Sequence, residues 1–88
     1  MNIDTVNPSD FYFLLSSQLR LIELEPDSTS KSWRAGIFTG FCSRFNDYLY
    51  TDDSKHLVDQ INAIKDKLNL SDLEIASLNY AAEILKKY

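Results

Sequence analysis

With 88 residues, 44% hydrophobic and 25% charged, the chain has the composition of one globular domain and not of a disordered segment. Thirteen acidic against nine basic residues give a net charge of −4. That balance disfavours a nucleic-acid binder, whose phosphate affinity rests on clustered Lys and Arg, and it suits a solvated surface or a basic protein partner.

Along the chain, Met1-Asn2-Ile3-Asp4 lacks a basic stretch leading into an apolar run, so no signal peptide is expected. The longest apolar run, Phe11 to Leu15, falls far short of the roughly 20 residues that a membrane span needs. Cys42 is the only cysteine, which excludes an internal disulfide and fits a reducing compartment. A cytoplasmic protein is expected.

The first helix is predicted to open with Asn7 as N-cap and Pro8 in the first helical position. Tyr12, Leu15, Leu19 and Ile22 then form one face, widened by Phe11 and Leu14. Residues 19–24 also alternate as a short strand would. A lone strand has no partner elsewhere in the sequence, which favours helix. Glu25 to Ser30 reads as a loop with Pro26 ending what precedes it. A second helix, capped by Ser30 or Ser32, is predicted to run to about Tyr50. Its apolar stripe is Ile37, Phe38, Phe41, Cys42, Phe45, Tyr48 and Leu49, with Trp33 at the edge.

Thr51, Asp52, Asp53 and Ser54 offer a turn and a choice of N-caps for a third helix, predicted over Asp53–Leu68. Leu57, Ile61, Ile64 and Leu68 form its buried face, and Asn69 its left-handed C-terminal residue. The fourth helix, Ser71–Lys87, has the clearest start. Ser71-Asp72-Leu73-Glu74 matches the S-x-x-E capping box, with Leu70 and Ile75 spaced for a hydrophobic staple. Ile75, Leu78, Ala82 and Leu85 form its stripe, and Ala81 and Ala82 admit a close neighbour. Short connections favour antiparallel packing, so residues 1–88 are expected to form an all-α, compact bundle of four short, mostly antiparallel helices.

Catalytic chemistry is not nominated. His56 is the one histidine and has no evident nucleophile or carboxylate partner. One His and one Cys do not make a zinc site, and no nucleotide-binding glycine motif is present. No enzyme activity, metal or cofactor is expected. Cys42, inside an aromatic stripe, reads as a small core hydrophobe. The segment Leu70–Ala76 resembles the opening of a helix-turn-helix. The helix then continues unbroken through Ala82 and lacks basic residues before Lys86, so DNA binding is not expected.

Binding is therefore the expected mode of action. Gly36, Gly40, Ser43 and Asp47 gather on the side of the second helix away from its aromatic stripe. A glycine inside a helix costs roughly 1 kcal/mol relative to alanine. A bare strip of backbone can be retained for close approach of another helix, which is either internal or supplied by a second copy or a foreign protein. Tyr50 falls opposite the stripe, Tyr80 sits off the face of the fourth helix, and Tyr88 is terminal. Together with Trp33 these are candidate partner-binding residues, because Tyr and Trp combine buried area with a polar handle. In size and helix count the chain is similar to bacteriocin immunity proteins and to phage-encoded inhibitors of host defence. That architectural resemblance implies a non-catalytic inhibitor or immunity factor acting on a protein partner. The alternative is a self-associating helical domain whose oligomer forms a small-ligand or scaffold surface.

Overall fold

The hydrophobic periodicities resolve into helices throughout the computed structural model, which describes residues 8–86. Among these residues the elements are α1 (Pro8–Leu24), α2 (Ser28–Phe45), a 3-10 turn at Asn46–Tyr48, α3 (Thr51–Lys67) and α4 (Asp72–Leu85), with no strand. Residues 19–24 are helical to Leu24, so the extended alternative falls. The Asn7 cap, Lys87 and Tyr88 lie outside the described residues.

Several boundaries differ from expectation, including that of α4, which ends at Leu85 with an extended Lys86 and not at Lys87. The N-cap of α2 is Asp27, not Ser30 or Ser32; its carboxylate accepts the Ser30 N–H at 2.8 Å. Aspartate and serine cap about equally well, and capping at Asp27 lets the helix gain a turn. At its other end α2 stops at Phe45 and not near Tyr50. The chain tightens into the 3-10 turn, and Leu49 then swings into the core in an extended conformation. With Leu49 anchored, α3 starts at once, at Thr51. Tyr50 is its N-cap residue without a side-chain bond, and Ser54 is drawn into the helix and buried. Asn69 is not left-handed: no described non-glycine residue has positive φ, and α3 ends through an extended Leu68.

Side-chain contacts give the directions. Phe11 packs on Phe45 and Glu25 pairs with Arg34, so α1 and α2 run antiparallel. Tyr12 faces His56, Ser16 donates to Gln60, and Glu23 pairs with Lys67. These contacts advance together, so α3 runs alongside α1 in the same direction. Ser32 reaches Glu74 and Thr39 reaches Ser77, which sets α4 alongside α2. Consecutive helices thus reverse, while α1/α3 and α2/α4 are parallel neighbours.

One continuous core lies between the helices. Leu15, Leu19 and Ile22 from α1, Phe38 and Cys42 from α2, Leu57 and Ile61 from α3, and Leu78 and Leu85 from α4 are essentially inaccessible. The closest helix pair is α2 with α4. The Thr39 hydroxyl shares its one proton between the Ala35 and Ser77 carbonyl oxygens, at 2.9 and 3.0 Å. Ala35 and Ala81, each one turn away on the same faces, are fully buried. Alanine at these positions lets the two backbones approach.

The capping box of α4 forms as expected, with Ser71 Oγ accepting from Glu74 N–H and Glu74 Oε2 from Ser71 N–H at 2.8 Å. Its acid does more than cap. Glu74 is only 3% exposed, and its second oxygen accepts the Ser32 hydroxyl at 3.0 Å. A buried acceptor that loses its donors, or donors that lose their acceptor, forfeit desolvation energy as well as the bond. Glu74→Ala should therefore destabilise by about 2 kcal/mol and Ser32→Ala by about 1 kcal/mol in urea unfolding. A silent Ser32→Ala would mean that the bridge to α2 carries nothing beyond the cap, and equal effects that the cap carries nothing beyond the bridge.

The Asp27 cap titrates with the fold. Its bonds from the Ser30 N–H and hydroxyl hold the carboxyl below its ordinary value of 3.8. A depressed carboxyl contributes stability above its unfolded pKa and loses that contribution as pH falls through the folded value. Asp27→Asn keeps a capping acceptor but does not titrate. Its unfolding midpoint should fall less steeply than the wild type's below about pH 4.

Candidate protein-docking face on α2 and α4

The outward side of α2 is unlike that of a solvated helix. Such a face normally carries charged residues, whereas here Trp33, Gly36, Gly40 and Ser43 follow one another, all exposed. Trp33 is 70% accessible. A Cβ placed on Gly36 or Gly40 would meet nothing within 4 Å. No described helix covers this strip, so its glycines do not serve internal packing; Ala35 and Ala81 fill that role in the α2–α4 seam.

Beside the strip lies a shallow groove of about 400 Å3, lined by Ser32, Trp33, Gly36, Ile37, Leu73 and Ser77. Its second wall comes from α4. Leu73 is 67% exposed, and Tyr80, one turn beyond Ser77 on the same side, is 64% exposed. Leu73 projects outward because it follows the Ser71 cap by two residues, off the Ile75/Leu78/Ala82/Leu85 stripe. The bridge from Glu74 to Ser32 sets the level at which Leu73 stands beside Trp33 and Gly36.

Charge is segregated here too. Between Asp27 and Asp47, α2 carries Lys31, Arg34 and Arg44 and no acid, in a chain of net charge −4. Arg34 is neutralised by Glu25 at 3.1 Å. The Arg44 guanidinium lies 5.9 Å from the Phe45 ring centre, exposed at the edge of the face.

The structure therefore joins part of the expected set. Trp33, Gly36, Gly40 and Ser43 share the exposed side of α2, with Tyr80 on the neighbouring ridge of α4. Asp47 is exposed in the 3-10 turn at the far end. Tyr50 is 57% exposed but caps α3 away from the groove, and Tyr88 lies outside the described residues. Leu73 and Ile37 were not singled out by sequence. Leu73 is hidden within the capping box, and Ile37 at the margin of the aromatic stripe lines the groove instead of the core. Tyr48 also leaves the core stripe; it is 45% exposed and stacks on Phe11 at 5.0 Å.

Two other hollows are occupied by their own side chains, while the outer side of α1 leaves Phe13 and Leu24 exposed. The α1–α3 groove, about 300 Å3, holds the Glu23–Lys67 pair and Gln60, which accepts from Ser16 and donates to Tyr12. In the hollow where α2 and α4 begin, about 350 Å3, the Asp27 and Glu74 carboxylates already hold the helix N–H groups. Among the described residues, no three His, Cys, Asp or Glu side chains gather as a metal site, and no helix is long and apolar enough to cross a membrane.

Compared with known proteins, the chain matches no family model, no curated protein and no solved structure.

Cys42 is fully buried on the inner side of α2, and desolvation pushes its thiol up to about 12. The thiolate is the reactive species, so the native protein should resist thiol reagents at pH 8. Labelling should reach one thiol per chain only in denaturant. Stoichiometric labelling of native protein within minutes would place Cys42 at an accessible position.

Proposed function

We propose that the protein is a non-catalytic protein-binding module, an inhibitor or immunity/anti-defence factor that acts in the cytoplasm by docking on a protein partner through the outer face of α2 and α4. The observation that carries this reading is the exposure of Trp33, Leu73 and Tyr80 around the uncovered Gly36/Gly40 strip. Large apolar side chains clustered in this way on a small domain mark interaction surfaces. A groove with a backbone floor between Trp33 and Leu73 suits an apolar ridge or helix of a partner. Trp and Tyr in such a place are the residue types that dominate binding energy. Among the described residues Cys42 faces inward and His56 lies 6.5 Å from the Tyr12 ring.

A photo-cross-linking amino acid at position 33, used in cells that contain the natural targets, tests this reading, with position 13 as an exposed apolar control on α1. Adducts to a foreign protein should form from position 33 and not from 13. Once that protein is in hand, Trp33→Ala and Tyr80→Ala should each weaken binding at least tenfold, about 1.4 kcal/mol. Binding that is indifferent to both substitutions would move the docking surface elsewhere.

A further inference from the structure

Thr51, Asp52, Asp53 and Ser54 are consecutive residues of the types that begin helices, yet none of them caps α3. The helix starts ahead of them, with Tyr50 in the N-cap position and no side-chain bond there. Ser54 is thereby carried inside the first turns of α3. It is fully buried, and its hydroxyl has no hydrogen-bond partner among the described residues. We propose that α3 has a second start, capped by Ser54, and that residues 46–53 form a strap that lifts from the end of the bundle when the helix shortens to it.

Identifiable groups balance the two starts. In the long helix Leu49 is extended and buried in the core, and Asp52 and Asp53 lie in the first turn, where the dipole favours acids. Against it stand an N-terminus without a side-chain cap and a hydroxyl desolvated without a bond. In the short helix Ser54 takes the extended backbone of an N-cap residue. Its Oγ then accepts the Leu57 N–H in place of the Asp53 carbonyl. Only a group whose interactions differ between two states can bias them, and Ser54 differs most: unmet in one, capping in the other. Asp53 gains less, since its carboxylate already serves the dipole of the long helix.

Leu49 is the buried anchor of the strap, while Asp47, Tyr48, Tyr50, Thr51 and Asp52 are exposed. Tyr48 stacks on Phe11 at 5.0 Å, and Phe11 packs on Phe45 at 5.1 Å. Release of Leu49 takes the Tyr48 ring with it and uncovers Phe11 and Phe45 at one end of the α1–α2 pair. The α2–α4 seam stays in place, because its contacts run through Ser32, Thr39, Glu74 and Ser77. The strap is thus independent of the docking face.

Ordinary fraying loosens a helix end gradually, with no preferred stopping point. A second start stops at one residue. In the short helix the Ser54 and Lys55 amides lose the Tyr50 and Thr51 carbonyls, whereas the Leu57 amide stays protected by the Ser54 hydroxyl.

Native-state amide hydrogen exchange of the full chain, followed by NMR at urea concentrations below the unfolding transition, tests the second start. In the wild type the protection factors of Ser54 and Lys55 should lie about tenfold or more below that of Leu57, through an opening that urea promotes less than it promotes global unfolding. Ser54→Ala should raise the Lys55 protection factor about tenfold, because it removes both the unmet hydroxyl and the alternative cap. Leu49→Ala should lower it by at least as much by removing the anchor, at urea concentrations where Ile61 is still protected. Lys55 protected as well as Leu57 in the wild type overturns the inference, as does a Lys55 amide that ignores Ser54→Ala. An effect of Ser54→Ala that is equal at Lys55 and Ile61 reports global stability alone and overturns it too.

Discussion

The Glu74 carboxylate joins three things that would otherwise be independent: the start of α4, the register of α4 on α2, and the shape of the outer groove. One oxygen accepts the Ser71 N–H, which completes the cap; the other accepts the Ser32 hydroxyl on the first turns of α2. Both bonds form where the side chain is nearly inaccessible, and there an unmet acceptor would be expensive. The two helices are therefore held at one mutual level. A slip of α4 by a turn would break the bridge and the Thr39–Ser77 contact together.

That level decides what faces outward. With Glu74 turned inward against Ser32, Leu73 beside it is left facing water next to Trp33 and Gly36. Inward, Ala35 and Ala81 provide the close helix approach. Outward, Gly36 and Gly40 repeat a feature that the bundle has no use for, at roughly 1 kcal/mol each relative to alanine. Retaining two such residues on an open face, between a tryptophan and a serine, is intelligible when the face is completed by another molecule.

Much of the local structure was legible in the chain. The S-x-x-E signal before an apolar stripe located the start of α4, because both capping partners lie within four residues of each other. The 3.6-residue recurrence of Leu15, Leu19 and Ile22, and of Leu57, Ile61 and Ile64, identified the buried faces. Boundaries that depend on distant packing were not legible. The early end of α2 and the immediate start of α3 follow from Leu49 reaching the core, and no local propensity announces that. Asp27 was passed over as the cap of α2 because the Ser-Thr-Ser segment after it offers competing caps of nearly equal quality.

For the candidate face, the sequence by itself determined that α2 has an apolar side and a bare side, since helical periodicity sorts residues around an axis without knowledge of neighbours. It also separated Trp33 and Tyr80 from the buried stripes. Whether the glycine strip is covered was decided only by the tertiary structure, because that depends on which arc of α2 meets α4 and which meets α1. The pairing of Leu73 with Trp33 was likewise a tertiary outcome. A hydrogen bond between residues 32 and 74, far apart in the chain, sets two helices side by side, and only that contact turns two unrelated exposed side chains into the walls of one groove.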